Sequence, residues 1–311
     1  MALRQRIVAR PLHRATQALG EAHRGRPTEH LARAHALGPT LVARLGEADQ
    51  RRSLPDATVA DFQKAGFFRI LQPKRWGGFE HDPIVFYEVQ AAIASYCPSS
   101  AWVLGVVAAH AWQLALFPLE AQDEVWGEDR RARISSSYMP VGVVEPARGG
   151  FTLSGRWGFS SGCDHCAWVM LGAMVPPAAE GGTPDMRTFL LPRRDYTFVD
   201  DWHVAGLRGT GSKTVVVDRV FVPEHRTHKM SDAFKLDSPG NVANPAPLYR
   251  LPFGQVFFRG VSTGAIGALQ GMLNAFTSYG KERIQRLTGE AAAKDPVIQI
   301  ACAEVACGID E

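Results

Sequence analysis

The chain has 311 residues, 46% of them hydrophobic, with 34 basic and 31 acidic side chains and a formal net charge of +3. A chain of this length can bury a large core in two or three structural units, and its near-balanced charge gives no reason to expect a nucleic-acid partner. No uncharged apolar stretch reaches about eighteen residues, so no membrane span is predicted. Five cysteines, an odd number, favour reduced thiols in a cytoplasmic enzyme over a disulfide framework.

The N-terminal third has helical patterning after a basic leader. The leader is expected to be a flexible extension. The first helix contains Pro39, which is expected to kink or split it. Asp56 is expected to cap the next helix, which ends at Gly66. Asp82 followed by Pro83 predicts the start of a third helix, because proline suits the first helical position.

The middle of the chain changes from helical to β patterning. Residues 101–117 are apolar nearly all round, which predicts a helix buried among neighbours and capped by Ser99 or Ser100. Between Ile134 and Pro223 the chain consists of short β-type segments broken by Gly, Ser and Asp.

The last part returns to helical patterning after an irregular stretch. Residues 231–253 lack periodicity, which indicates a functional or disordered loop. A long helix is predicted from residue 255 to about residue 287, and Asp295 with Pro296 predicts another. That helix is still running at Glu311 with an apolar face to cover, so the sequence is expected to be truncated at its C-terminus.

The segment from Gly158 to Gly162, GFSSG, matches the pattern of a hydrolase nucleophile elbow. An elbow needs a strand, a turn and then a helix, whereas residues 163–175 have the pattern of a strand. A serine hydrolase is therefore a remote alternative. The segment is either an ordinary polar turn or a strand end whose serine faces a ligand.

Two further motifs have superficial matches to known sites. The segment from Gly206 to Thr214 resembles a phosphate loop, but Ser212 stands where the Walker spacing requires lysine, and a strand follows. It is either a glycine-rich bend or a cofactor contact. Cys163 and Cys166 flank an acid and a histidine, but no second Cys/His pair has usable spacing, so no metal site is predicted.

His110 is the titratable residue of the apolar helix, and Trp102 precedes it on roughly the same face. A histidine in an apolar wall needs either a hydrogen-bond partner or a catalytic task. The sequence leaves both readings open: a satisfied core histidine, or a base in an active site.

LQPKRWGG, YCPSSAW, FSSGCDHC and GLRGTGSKTVVVD, in an α–β–α order, resemble the oxygenase components of two-component phenol hydroxylases, which use reduced flavin. The resemblance covers residues 29–311 and implies the α+β fold of the acyl-CoA dehydrogenase superfamily. The implied units are an extension (1–28), an N-terminal helical domain (29–133), a central antiparallel β-barrel-like domain (134–230), an active-site loop (231–254) and an incomplete C-terminal helical bundle (255–311).

The resemblance implies ortho-hydroxylation of a phenol by O2 through a flavin C4a-hydroperoxide. FMNH2 or FADH2 would come from a separate NAD(P)H-dependent flavin reductase, and the protein would be a homotetramer without nucleic-acid or membrane partners. Two other readings stay open at this point: a flavoprotein of the acyl-CoA dehydrogenase type, and a truncated, non-catalytic flavin-binding homologue.

The resemblance also assigns site residues. It implies catalytic roles for His110 as the base at the phenol, for Ser161 as a donor to flavin N5 and for Ser136 near the phenol. It places Trp102 and Phe253 at the substrate and the following residues at the cofactor: Ser160, Ser161, Thr210, Ser212 and Arg250. A strand start for Ser136 and a solvated loop for Arg250 are the ordinary alternatives, and Trp157 and Trp202 are expected in the core.

Overall fold

The structure is a computed structural model that describes residues 28–310 except residues 178, 180 and 285–288. The predicted basic extension, apart from residue 28, lies outside the described residues. Within them the chain forms helices, then a sheet, then helices again, in agreement with the predicted α+β class. The domain boundaries stay predictions.

The regular elements before the sheet are helices. They are α1 (Thr28–Ala43), α2 (Leu45–Arg51), α3 (Asp56–Ala65), α4 (Pro83–Ala94), α5 (Pro98–Leu114) and α6 (Leu119–Trp126). Pro39 does not split α1, which continues to Ala43. Helix α3 ends at Gly66 as predicted, with a left-handed φ of 84°, but Pro55 rather than Asp56 occupies its N-cap position.

The starts of α4 and α5 show how proline positions a helix. The carboxylate of Asp82 accepts a hydrogen bond from Ile84 N at 2.9 Å, which confirms the predicted cap of α4. Helix α5 begins at Pro98, so Ser99 and Ser100 lie in its first turn and do not cap it. Proline is favoured at the first helical position because its missing N–H has no partner there. Most of α5 is buried, as predicted.

The sheet has seven strands in the order β5-β6-β2-β1-β3-β4-β7. Their bounds are β1 (Ile134–Ala147), β2 (Gly150–Ser160), β3 (Trp168–Val175), β4 (Asp185–Pro192), β5 (Thr197–Val199), β6 (Lys213–Pro223) and β7 (Thr227–Lys229). The pairs are antiparallel except β1 and β3, which are parallel and shift register between Ser137 and Gly142. The predicted antiparallel pairing holds for five of the six strand pairs; β3 runs parallel to β1 because β2 returns the chain to the end of the sheet at which β1 starts.

A separate apolar core lies within the sheet. Trp157 is fully buried there, as predicted, and its indole N–H donates to Gly172 O at 2.8 Å. Trp202 is only half-buried, so its predicted core position is wrong.

Helices return after the sheet. They are α7 (Met230–Lys235), α8 (Phe253–Glu282) and α9 (Pro296–Asp310), and α7 lies in the stretch expected to be irregular. Helix α8 packs closely on α4, where an added Cβ at Gly267 would lie 2.4 Å from Ala91 O. The amide of Gln90 on α4 donates to Gly260 O at 2.6 Å. These contacts fix α8 against the helices that form one wall of the site.

No helix in the described ranges combines the length and hydropathy needed to cross a bilayer. All five cysteines lie in the described part, and each is a free thiol.

Candidate functional site

A cavity of about 250 Å³ lies between α5, the end of β2, the start of β1 and α8. Its walls are mainly apolar and aromatic with a few hydroxyls, a composition typical of small-molecule sites. The lining residues are Trp102, Val106, Ser136, Ser137, Tyr138, Met139, Phe159, Ser161, Phe257 and Val261.

Trp102, Ser136 and Ser161 are brought to this one cavity from α5, β1 and the end of β2. The indole N–H of Trp102 donates to Ser161 Oγ at 3.0 Å. The aromatic wall and the hydroxyl wall are therefore joined directly at the site.

Ser160 points away from the cavity although it is adjacent to Ser161. It is fully buried, and its hydroxyl donates to Ser135 Oγ at 3.2 Å. Cys163–His165 form a short 3-10 turn before β3, not part of a strand as predicted. No α-helix follows the serines before β3, so the geometry of a nucleophile elbow is not formed here.

Thr210 and Ser212 lie behind Ser161 rather than in the cavity wall. Ser212 Oγ is 2.7 Å from Ser161 Oγ and 2.7 Å from Thr210 Oγ1. All three hydroxyl residues are buried. The glycine-rich bend thus supports Ser161 through side-chain hydrogen bonds.

The backbone between β2 and β3 is held in an unusual conformation. Phe159 has a φ of 64° and Gly162 a φ of 69°. A Cβ at Gly162 would lie 2.8 Å from Val103 Cγ1 of α5, so only glycine lets the turn approach this helix. A positive φ at a bulky residue is uncommon and marks local strain. The strained turn holds the Phe159 side chain at the cavity, 67% exposed and 5.9 Å from the Trp202 ring.

His110 is fully buried on α5, and its Nδ1 lies 2.7 Å from Ile134 O. Because a carbonyl only accepts, Nδ1 carries the proton and Nε2 of the neutral ring carries a lone pair. Nε2 has no hydrogen-bond partner among the described residues. Burial lowers the pKa of His110 to about 4, against the smaller raising effect of the Ile134 bond.

His110 lies next to the cavity but does not line it. The rings of Tyr138 and Phe257 line the wall, and each ring centroid is 6.1 Å from that of His110. The Tyr138 hydroxyl donates to Gln113 Oε1, and burial raises the pKa of Tyr138 above its usual range. Phe253 stacks on Phe257 at 5.4 Å behind the same wall.

Arg250 is exposed and does not line the cavity, so the structure does not bring it to the other predicted site residues. Sequence reasoning missed Phe159, Tyr138 and Phe257 as wall residues. Strand alternation from Ser136 signals Tyr138, and the i+4 spacing on α8 from Phe253 signals Phe257. Nothing in the local pattern signals the outward position of Phe159.

The charged residues near the strained turn join the helices to the sheet. Asp164 accepts from the hydroxyl of Ser53 at 2.8 Å and pairs with Lys213 at 2.7 Å. Arg52 binds both carboxylate oxygens of Asp200, at 2.6 and 2.7 Å. These bonds tie the helices to the sheet beside the turn. The described residues contain no group of three or more side chains arranged to hold a metal ion.

Comparison with known proteins gives consistent results. The chain is 42% identical over 281 residues to the "Flavin-dependent monooxygenase, oxygenase subunit HsaA" of Rhodococcus jostii strain RHA1, covering 90% of this chain and 73% of that protein. It is 36% identical over 271 residues to the "FADH(2)-dependent resorcinol hydroxylase, oxygenase component" of a Rhizobium species, covering 85% of this chain and 66% of that protein.

Among solved structures, XiaF from Streptomyces in complex with FADH2 and glycerol superimposes with a TM-score of 0.81 at 28% identity, over 96% of this chain and 74% of that chain. No family profile matches the sequence.

Proposed function

The chain belongs to the oxygenase components of flavin-dependent monooxygenases, and on that premise we propose that it hydroxylates a phenol at the cavity beside Trp102 and Ser161. The acyl-CoA dehydrogenase-like fold expected from the sequence is confirmed. Because the chain belongs to this family, the hydrolase and acyl-CoA dehydrogenase hypotheses are no longer retained. The phenolic substrate follows by analogy with the resorcinol hydroxylase.

The residues of the cavity fit a reduced flavin. An isoalloxazine ring is flat and apolar on its faces and polar along its edges, and the cavity offers aromatic walls with hydroxyls between them. Trp102 and Phe159 would contact the ring system, and Ser161 would meet a polar edge. When bound, reduced flavin supplies the electrons that activate O2. Relatives described with FADH2 make it the first flavin to test, ahead of FMNH2.

We assign His110 as the hydrogen-bond acceptor for the phenol hydroxyl. Its Nε2 atom is buried, carries a lone pair and has no hydrogen-bond partner among the described residues. The pKa of His110 is lowered to about 4. A phenol such as tyrosine has a pKa of about 10, far above that of His110, so full proton transfer to the ring is unfavourable. His110 therefore stabilises developing phenolate character by accepting a hydrogen bond, without becoming fully protonated first.

Access to His110 requires one wall residue to move. Tyr138 is held at its hydroxyl by Gln113, whereas Phe257 is held by ring contacts alone among the bonds described. Tyr138 is held by ring contacts and by a buried hydrogen bond together, so Phe257, which has the ring contacts alone, is the residue expected to yield to substrate. Ser136, on the same wall as Tyr138, supplies a hydroxyl for the phenol oxygen.

The observation that carries this proposal is the single cavity joining Trp102, Ser136 and Ser161 beside the unpartnered His110. The purified chain, supplied with a flavin reductase, NAD(P)H, FAD or FMN and a panel of monohydric phenols, is expected to form catechols. Liquid chromatography with mass spectrometry, using ¹⁸O2, should show one labelled oxygen per product. Flavin oxidation with peroxide alone across the panel would contradict a catalytic role and favour the flavin-binding scaffold.

We also propose that the protein self-associates, with a homotetramer as the predicted state. Helix α8 presents an exposed apolar stripe along one face: Phe258, Leu269, Met272, Phe276 and Tyr279, each about half exposed or more. Contiguous apolar patches of this kind mark interfaces. Light scattering coupled to size-exclusion chromatography is expected to give a multiple of 33.9 kDa at micromolar concentration. The double variant Met272→Glu, Phe276→Glu should dissociate it, whereas Glu282→Gln should not; a parental monomer would contradict the proposal.

A further inference from the structure

Trp202 lies outside the cavity and is only half-buried, yet both its ring and its backbone are tied. Its indole N–H donates to Leu207 O at 3.3 Å. Its carbonyl oxygen accepts from the guanidinium of Arg52 at 3.2 Å, and the same guanidinium binds both carboxylate oxygens of Asp200. The helical part of the chain therefore fixes where this indole ring lies.

The residue before Trp202 ties the same segment to the sheet. The carboxylate of Asp201 accepts from Thr214 N at 3.1 Å and from the Thr214 hydroxyl at 2.6 Å. Thr214 lies on β6, which pairs with β2 up to Ser160, so this tie is made beside the end of β2. Trp202 is thus anchored next to the place where Phe159 leaves the strand.

Phe159 receives its aromatic contact from Trp202. The two ring centroids are 5.9 Å apart and the ring planes meet at 81°, an edge-to-face arrangement that aromatic pairs favour. No second aromatic ring among the described residues pairs with Phe159, which is 67% exposed. Its φ of 64° is one that a bulky residue seldom adopts. Neither burial nor backbone preference therefore holds this ring at the cavity, and the contact with Trp202 does.

We propose that Trp202 is a positioning residue for the oxygenase reaction: it holds the Phe159 ring at the edge of the cavity and does not itself touch the ligands. The inference rests on the proposed function, since it takes the cavity as the place of reaction. A ring kept at this edge excludes water from the reacting ligands. When the Trp202 edge is removed, Phe159 can turn into solvent, and more of the O2 should be reduced to hydrogen peroxide.

The first measurement is catechol formed per flavin oxidised. Trp202→Leu keeps apolar bulk but removes the aromatic edge, and it should lower this ratio about two- to tenfold, which is the range that an edge-to-face pair supports. The rate of flavin oxidation by O2 should be retained. Trp202→Phe, which keeps a ring, should recover most of the parental ratio. Trp168→Leu is the matched control, because Trp168 is also half-buried and lies outside this cavity.

A double-mutant cycle identifies the residue through which Trp202 acts. Phe159→Leu should lower the ratio by itself, and adding Trp202→Leu to that variant should lower it no further. Two effects that multiply would show that Trp202 acts elsewhere, and the inference would fail. Thermal unfolding midpoints check that each variant is folded, and Trp202→Met takes the place of Trp202→Leu if the leucine variant is not.

The remaining outcomes separate the inference from the function. If the parental protein forms no catechol from any phenol, the proposed function fails and the inference fails with it. If the parental protein forms catechol and either Trp202→Leu or Phe159→Leu leaves the ratio unchanged, the function stands and the positioning role is overturned. A loss in Trp168→Leu equal to that in Trp202→Leu would also overturn it.

Discussion

Replacing His110 by alanine is expected to lower catechol formation about 100-fold or more, while reduced flavin is still oxidised by O2. The variant loses the lone pair at Nε2, which we assign to the phenol hydroxyl, but keeps the Trp102–Ser161 side of the cavity. The measurement is product formed per flavin oxidised, from chromatography and a peroxide assay. Hydrogen peroxide should form in place of catechol when the reduced flavin reacts with O2.

A matched variant separates chemistry from packing. His110→Asn can still donate an N–H to Ile134 O in place of Nδ1, but it places nothing at the position of Nε2. It should unfold near the parental temperature and still fail to hydroxylate. His110→Gln, which can reach the Nε2 position with an amide oxygen, should recover part of the activity. An Asn variant that forms catechol at the parental rate would show that His110 is a satisfied core histidine.

Acid is expected to begin destabilising this protein above the pH range in which carboxylates protonate. Burial lowers the pKa of His110 and of His228 from 6.5 to about 4 in the folded chain. The folded state keeps both rings neutral, whereas the unfolded state binds protons below about pH 6.5. Stability is therefore fully present above this pH and falls as the pH decreases toward 4.

The size of this effect follows from the pKa difference of about 2.5 pH units at each ring. By pH 4, each histidine should lower the free energy of unfolding by roughly 3 kcal/mol, and a typical domain has only about 5–15 kcal/mol of such stability. Denaturant unfolding at pH 7.5, 6, 5 and 4.5 measures it. His228→Asn, which keeps a polar group facing Ser238, should flatten the curve. Constant stability between pH 7.5 and 5 would contradict the burial of neutral rings.

Carboxylates affect the stability of the protein in a lower pH range than the histidines do. Burial acts to raise the pKa of Glu124, but the hydrogen bonds from Arg226 and His225 together outweigh it and lower the pKa; the hydrogen bond from Arg52 lowers the pKa of Asp200. Their contribution is lost as the pH falls through those lowered values, below the range of the histidines. The side chain of Asp200 is 50% exposed and that of Glu124 is 31% exposed, and partly exposed pairs of this kind are worth little. The steep loss between pH 6.5 and 4 is therefore assigned to the buried histidines.

Local sequence signals determined where most elements begin and end. Asp82 with Pro83 starts α4, Gly66 ends α3, and Pro296 starts α9, because caps and proline act within a few residues of themselves. The same local rules failed for Pro39, where the rest of the helix and its packing outweigh one lost hydrogen bond. Family motifs added what spacing alone could not: that Trp102 and Ser161 belong to one site.

The sequence by itself determined the order of helices and strands, the buried α5 and the residue types that a flavin-dependent oxygenase needs. The tertiary structure alone decided that Ser161 faces the cavity while Ser160 turns to Ser135, and that Phe159 and Phe257 complete the walls. It also decided the protonated nitrogen of His110, through Ile134 O. The reason is physical: caps and periodicity depend on neighbours in the chain, whereas side-chain direction and proton position depend on partners that only folding brings together.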